Sequence, residues 1–521
     1  MDFPDIAIPE AFAAAAAGHP DAPAAITDAG TTTFAELAER SARVAAHLAG
    51  RGIGKGDRVA LLAPNAPEFA EAYLGIVRAG AVVVPVNLML NPKEMAWILN
   101  DAGVRALVYH PALAEAVAAF RGAVESLESA LSLGEAAAKG DTGWAAVQAE
   151  AGPVPEVALS PETDLAAILY TSGTTGHPKG AMLSHRNLVA NTHSIRAAVR
   201  LRPGEDRLLV VLPMFHAFAA TVGMLTPLLH GLAFIPVPRF EPEMVVSAIE
   251  RHGATIFLGV PSMYSLLLRL PEGAEPRLAS LRLCVSGGAA MPVEVMQRFE
   301  GRFGLPVYEG DGPTECAPVT CLNPLEGERK PGSVGLPVPG VAMRIADDDG
   351  ADLPDNEVGE ICVRGPNVMR GYWNRPEATA EVFFGDWFRT GDVGFRDDDG
   401  YFHMVDRKKD LIIVNGMNVY PRVVEEALHR QPAVAEVAVV GEPHELHGEI
   451  PVAYVALREG EEADSAALRR HCQGELGRHE VPRKFFFLGE LPKNATGKIL
   501  KRALRNGGEL ERGVDSRQEG E

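Results

Sequence analysis

The chain has 521 residues, too many for one compact core of ordinary size, so two or three folded units are expected. Its 69 acidic and 49 basic residues leave a formal charge of −20, which repels nucleic acid unless a basic patch is segregated on one face, and the sequence shows no such patch. With 47% hydrophobic and 23% charged residues and no apolar run of membrane-spanning length, the composition reads as soluble and globular, without a transmembrane segment. Five scattered cysteines (Cys284, Cys316, Cys321, Cys362, Cys472) lack the paired spacing of a zinc site or disulfide framework. Buried structural thiols in a reducing cytoplasm are the expectation. Asp2 and Asp5, with no cationic stretch before the alanine run, do not read as a secretory signal.

Along the chain, the alanine-rich N-terminal stretch reads as ordinary helix. From Arg58 to Val84 a short β-rich run, an apolar-periodic stretch around Pro67 to Arg78 and a second buried run form a strand, helix, strand unit. The alternation returns in Leu165 to Tyr170 before a helix from about Asn187. It recurs in Ala254 to Leu258 before Met263 to Leu270, and in Leu281 to Val285 before Glu294 to Phe303. This rhythm predicts an α/β fold of doubly wound parallel sheets, because each crossover helix must cover a sheet face. After Pro331, short β-like runs such as Val341 to Ile345 and Glu360 to Val363 predict a small antiparallel, β-barrel-like subdomain. From about Lys409 a strand and helix mixture resumes as a small terminal α+β domain, ending in a polar tail from Asn506 to Glu521.

The segment with the strongest chemical signal is Tyr170-Thr-Ser-Gly-Thr-Thr-Gly-His-Pro-Lys179-Gly180, which follows an apolar strand. Glycines allow the backbone to approach an anion, hydroxyls and N–H groups donate to its oxygens, and Lys179 adds positive charge, so the segment suits phosphate. Gly173, Gly176 and Lys179 do not fit G-x-x-x-x-G-K-[ST], which excludes the P-loop ATPases. A flexible Gly/Ser/Thr linker is the bland alternative, disfavoured by the lysine, proline and preceding strand in register. In so acidic a chain, a polyanion must be held by a few local donors and a cation.

At this segment the chain resembles the adenylate-forming superfamily of acyl-CoA synthetases, firefly-type luciferases and peptide-synthetase adenylation domains. The likeness runs from about Thr33 to Arg502, with the motifs in the family's order. The resemblance implies ATP, Mg²⁺ and coenzyme A. It assigns nucleotide contacts to Thr171, Ser172, Gly173, Thr174, Thr175, Gly176 and Lys179, and also to Gly288 and Ala289. In Tyr308-Glu-Gly-Asp-Gly-Pro-Thr314-Glu315, a tight turn after a predicted strand, it implies nucleotide contacts at Asp311, Gly312 and Thr314 and a Mg²⁺ ligand at Glu315, with Thr171 as a second ligand. Asp311 stands where many relatives carry an aromatic residue stacked on adenine. Asp392, in Trp387-Phe-Arg-Thr-Gly-Asp392, and Arg407 correspond to ribose contacts, and Lys409 to the hinge that splits the chain into 1–408 and 409–521.

Leu491-Pro-Lys-Asn-Ala-Thr-Gly-Lys498-Ile resembles the loop carrying the adenylation lysine, an ammonium suited to the charge growing at the α-phosphate. Rotation of the small domain about Lys409 would exchange this lysine for a coenzyme A path lined by Gly416. In Leu212-Pro-Met-Phe215-His216-Ala-Phe218, amino-acid-activating relatives often carry an Asp where this chain has His216, so the resemblance implies an acid without an amino group. His216 either orients the carboxylate, gates the pocket, or is an ordinary core histidine satisfied by a carbonyl. Gly287, Gly288, Ala289 and Ala290, with Gly259, Val260 and Met263, leave room for an apolar tail. The expected activity is an AMP-forming carboxylic acid–CoA ligase acting on medium- or long-chain fatty acids. Aryl or alicyclic acids, or loading of a carrier protein, are the alternatives. A non-catalytic nucleotide binder would need neither Glu315 nor Lys498, nothing indicates an oxygenase step, and a homodimer is compatible with the sequence.

Overall fold

The computed structural model describes residues 3–150, 152–171, 177–494 and 497–505. The run Val82–Pro85 is buried at every position, as a strand flanked on both faces by helices must be. It sits inside a seven-stranded sheet, ordered Thr142–Gly143, Ser129–Ser132, Val104–Tyr109, Arg58–Leu62, Val82–Pro85, Leu165–Thr171, Lys179–Ser184. Every pairing is parallel except the last. That exception adds a strand between Leu165–Thr171 and the helix expected from about Asn187. Leu165–Thr171 turns back into the antiparallel strand Lys179–Ser184, and only then does the helix His185–Ala198 begin. Ser184 caps that helix, its hydroxyl accepting the Asn187 N–H at 3.2 Å. Lys179 and Gly180 carry no strand signal of their own, and the hairpin is decided by pairing.

A nine-stranded sheet runs Leu336–Pro337, Cys321–Leu322, Val307–Asp311, Leu283–Ser286, Ile256–Gly259, Arg207–Val210, Ala233–Pro236, Pro23–Thr27, Gly30–Thr33. It is parallel from Val307–Asp311 to Pro23–Thr27 and antiparallel at both ends. The alanine-rich stretch is the helix Ile8–Gly18, as expected. The next helix, Phe34–Gly50, starts at a capping box in which Thr33 Oγ1 accepts the Glu36 N–H at 3.2 Å and Glu36 Oε2 accepts the Thr33 N–H at 2.8 Å. One apolar core, with Phe69, Val83, Leu209 and Phe257 among its members, joins the two large sheets. Buried Asn65 bridges them: its Nδ2 lies 3.0, 2.9 and 3.0 Å from the carbonyls of Val210, Leu212 and Val237, and its Oδ1 accepts the Met214 N–H at 2.8 Å.

The antiparallel subdomain expected after Pro331 is a five-stranded sheet containing Ala342–Ala346, Gly359–Arg364, Trp387–Arg396 and Phe402–Arg407. A turn at 408–410, which holds Lys409, leads into a second five-stranded sheet built on Val434–His444 and Gly448–Leu457. That sheet and its helices Pro421–His429 and Ser465–Glu475 enclose an apolar cluster of their own. All five cysteines are buried and free.

Candidate active site

The expected phosphate cradle, Ser172, Gly173, Thr174, Thr175 and Gly176, lies outside the described residues, but both of its flanks are fixed. The helix Pro92–Ala102 holds them. Tyr170 on the approach donates its hydroxyl to Asp101 Oδ2 at 2.7 Å, and His177 on the return stacks on Trp97 with ring centroids 4.4 Å apart. Asp101 also pairs with Arg375 at 2.6 Å, and its carbonyl accepts the Trp373 indole N–H at 3.1 Å. The two stems of the hairpin therefore pack against the same helix, and the outer strand pairs with the segment at 370–373.

That segment adds a residue the sequence reading missed. Arg370 N–H donates to the Met182 carbonyl at 2.9 Å, Met182 N–H to the Gly371 carbonyl at 2.9 Å, and Trp373 N–H to the Gly180 carbonyl at 2.8 Å. This edge pairing sets Tyr372 against the site. Its hydroxyl donates to Glu315 Oε1 at 2.8 Å, and Lys179 Nζ lies 5.1 Å from the centre of its ring. Thr171 Oγ1 reaches the same carboxylate oxygen at 3.4 Å. Thr171, Lys179, Glu315 and Tyr372 thus converge, from three separate stretches of chain. Burial, and then the Glu315 charge, push the Tyr372 phenol far above its ordinary value, so it remains a donor. The aromatic pair Tyr372-Trp373 after Gly371 was the signal available for it in the sequence.

A second group assembles around the antiparallel ladder. Asp392 and Arg407 are direct cross-strand partners, and Arg407 Nε stands 3.1 Å from Asp392 Oδ1. Asp392 is buried, yet its Oδ1 has no hydrogen-bond donor among the described residues, because the contact with Arg407 lacks hydrogen-bond geometry. Asp311, at the end of Val307–Asp311, lies within electrostatic reach of both. Burial first, and the neighbouring Asp392 second, raise its pKa. The Asp392 charge raises Arg407, while burial and Arg407 lower Lys409.

Lys498 joins this group from the C-terminal domain. Burial, followed by the Arg407 charge, lowers its pKa to about 8, against the opposing pull of Asp392 and Asp311. Its loop is shaped by Asn494, whose Oδ1 accepts the Lys498 N–H and whose N–H donates to the Lys498 carbonyl, both at 2.9 Å. Gly497 has φ of +82°, and a Cβ there would stand 2.7 Å from Ser262 Oγ, which already donates to the Gly497 carbonyl at 3.2 Å. No residue but glycine fits that joint without displacement.

His216 lies on the same side. Its Nδ1 accepts the Phe218 N–H at 3.3 Å, so in the neutral ring the proton sits on Nε2. Burial, and then Lys498, lower its pKa to about 4. The following turn is an eight-residue π-helix, Phe218–Leu225, which the sequence reading did not anticipate. It sets the Phe218 ring 3.2 Å from where a Cβ on Gly287 would be. Glu309, buried on the strand below, accepts the Met291 N–H at 2.8 Å and so closes the turn bearing Gly287, Gly288, Ala289 and Ala290. Burial raises its pKa to about 7.

Some expected residues serve other ends here. A Cβ on Gly312 would come within 1.8 Å of the Pro318 carbonyl, so backbone crossing requires this glycine. Thr314 opens the short turn Thr314–Cys316. Gly416 is not brought to the group: Asn415 and Gly416, with φ of +52° and +78°, form the exposed tip of the hairpin between Ile412–Val414 and Met417–Val419. Among the described residues, no cluster of three or more His, Cys, Asp or Glu suits a metal. No helix in the described residues is long and apolar enough to cross a membrane.

Asp311, Asp392, Arg407 and Lys498 form one charged group, and Arg407 also lies within electrostatic reach of Glu315. Comparison with known proteins identifies the family. The family model of the AMP-binding enzymes matches residues 12–373, and that of their C-terminal domain matches residues 423–498. A long-chain-fatty-acid–CoA ligase of Bacillus subtilis (strain 168) is 35% identical over 531 residues, covering 97% of this chain and 95% of that protein. A sulfoacetate–CoA ligase of Cupriavidus necator is 40% identical over 502 residues, covering 95% and 96%. The ATP-bound crystal structure of MatB from Rhodopseudomonas palustris superimposes with a TM-score of 0.88 at 35% identity, covering 96% of this chain and 99% of that one. The chain belongs to the AMP-binding enzyme family, as an AMP-forming acyl-CoA synthetase.

Proposed function

We propose that this enzyme activates an apolar carboxylic acid, a medium- or long-chain fatty acid in the first instance, as its acyl-adenylate and transfers the acyl group to coenzyme A. The observation that carries the adenylation reading is the placement of Lys498 beside Asp392, Arg407, Asp311 and His216 while its own domain is docked at Ser262.

The residues divide the work. Asp392 Oδ1, buried and without a hydrogen-bond donor among the described residues, suits a ribose hydroxyl, with Arg407 Nε 3.1 Å away. Lys179 and the stems of the hairpin serve the phosphates. Glu315 and Thr171 would hold Mg²⁺, whose charge would neutralise phosphate oxygens, and the Tyr372 hydroxyl donates to Oε1 of the same carboxylate. The donor set is all oxygen, which fits a hard ion sharing its remaining positions with phosphate and water. Neutral His216 presents Nε2–H to the substrate carboxylate, orienting an oxygen toward the α-phosphorus. As that oxygen bonds to phosphorus and pyrophosphate leaves, Lys498 stabilises the charge on the phosphoryl oxygens. In the second step the thiol sulfur bonds to the acyl carbon and AMP departs. Lys498 is not needed there, and the turn at Lys409 is where the domain would rotate to bring Gly416 toward the thiol.

The acid is read from the wall. Gly287, Gly288, Ala289 and Ala290 with Val260, Met263 and Phe218 present no charged side chain, which favours an apolar acyl group. A ring acid is the second reading, favoured by the Phe218 ring against Gly287. Pyrophosphate release with a panel of fatty, aryl and alicyclic acids, with and without coenzyme A, tests both. Preference for a charged acid such as sulfoacetate would refute the apolar wall, and acyl-AMP accumulating unchanged in coenzyme A would refute thioester formation.

A further inference from the structure

Lys498 is delivered only while the C-terminal domain is docked, so contacts that set the docking position the lysine. One such contact is an ion pair across the joint. Arg458 Nη2 stands 3.2 Å from each carboxylate oxygen of Glu294. Both side chains are about three-quarters buried, at 26% and 29% exposure. Each is also held within its own domain. Arg458 donates from Nε to the Pro432 carbonyl at 2.7 Å and from its main chain to the Ala433 carbonyl at 2.9 Å. Glu294 lies in the first turn of Val293–Phe303, where the helix dipole favours a carboxylate, and it also accepts from Arg298 at 3.2 Å, one turn along. When the pair parts, neither charge is stranded: Glu294 keeps Arg298 and Arg458 keeps its carbonyls. That makes a contact which can open and close repeatedly. Glu294 also follows closely on the turn bearing Gly287 to Ala290, so the latch is fixed to the acyl-binding side of the site.

We propose that Glu294 and Arg458 are positioning residues for adenylation: their ion pair latches the C-terminal domain in the arrangement that delivers Lys498 and parts for thioester formation. This rests on the reading of Lys498 given above. A part-exposed ion pair shifts a two-state equilibrium by up to about fivefold, which sets the size of the effect.

The test measures both half-reactions on the full chain: pyrophosphate release with ATP and acid, and thioester formation from supplied acyl-AMP and coenzyme A. The variants are Glu294→Gln, Arg458→Gln and the double. Each single change is expected to slow acyl-AMP formation about three- to fivefold and to leave thioester formation unchanged or faster, and the double is expected to be no slower than the singles. Equal losses in both half-reactions, additive losses in the double, or unchanged adenylation in the singles would overturn the latch. A wild-type chain that forms no acyl-AMP from any acid would overturn the reading of Lys498 and the latch with it.

Discussion

Replacing Lys498 with alanine removes an ammonium that burial and Arg407 hold at a pKa of about 8 instead of the ordinary 10.5. That depression means the site disfavours the charged lysine by roughly 3 kcal/mol relative to water, at 1.36 kcal/mol per pKa unit. The lysine is therefore poised to be stabilised by nucleotide phosphate and by the charge of the transition state. Loss of one such donor costs about 10²- to 10³-fold in the step it serves. Only the ammonium can act, so wild-type adenylation should be full below about pH 7 and fall as pH rises through about 8 in kcat/KM. In kcat the same limb should lie at higher pH, because bound phosphates favour the charged form. Stopped-flow pyrophosphate release from pH 6 to 10 reads these limbs, and thioester formation from supplied acyl-AMP provides the control. Lys498→Ala should lose the alkaline limb and the rate of adenylation while retaining thioester formation. An alkaline limb that persists in the variant, or equal losses in both half-reactions, would refute the argument.

Tyr372→Phe deletes a 2.8 Å hydrogen bond to the Glu315 carboxylate, and bonds to charged groups contribute about 1.5–3 kcal/mol, so the KM for ATP at saturating acid should rise about tenfold or more. An unchanged KM would show that Glu315 is held without it. Asp392→Asn should weaken ATP binding while narrowing the gap between ATP and 2′-deoxy-ATP, as measured by calorimetry; an undiminished preference for the 2′-hydroxyl would remove Asp392 from the ribose. Gly497→Ala forces a side chain into φ of +82° with its Cβ 2.7 Å from Ser262 Oγ, which should slow adenylation about fivefold or more and spare thioester formation. Equal slowing of both steps would place the glycine's role in folding instead of docking.

The alternation of apolar runs and periodic helices announced the parallel sheets, because crossover helices leave a pattern that local residues carry. The hairpin at Lys179–Ser184 was not legible, since nothing in Lys179-Gly-Ala-Met-Leu distinguishes a strand pairing backwards from a helix approach. The same limit hid the π-helix Phe218–Leu225, a buried apolar stretch in which Gly223 lies close against the Val210 side chain.

The chemical groups were legible in short local motifs: a glycine- and hydroxyl-rich segment, an acidic turn ending in Glu315, Asp392, and a lysine after glycine near the C-terminus. These are short motifs whose side chains declare their use. Tertiary structure alone decided who meets whom. Tyr372 touches Glu315 only because the segment at 370–373 pairs with the edge strand, and Asp392 faces Arg407 only through antiparallel register. Lys498 arrives only because Gly497 seats on Ser262 across a domain joint. Such contacts join residues as far as 235 positions apart, and no local pattern records them, because they are fixed by the free energy of the whole packed chain.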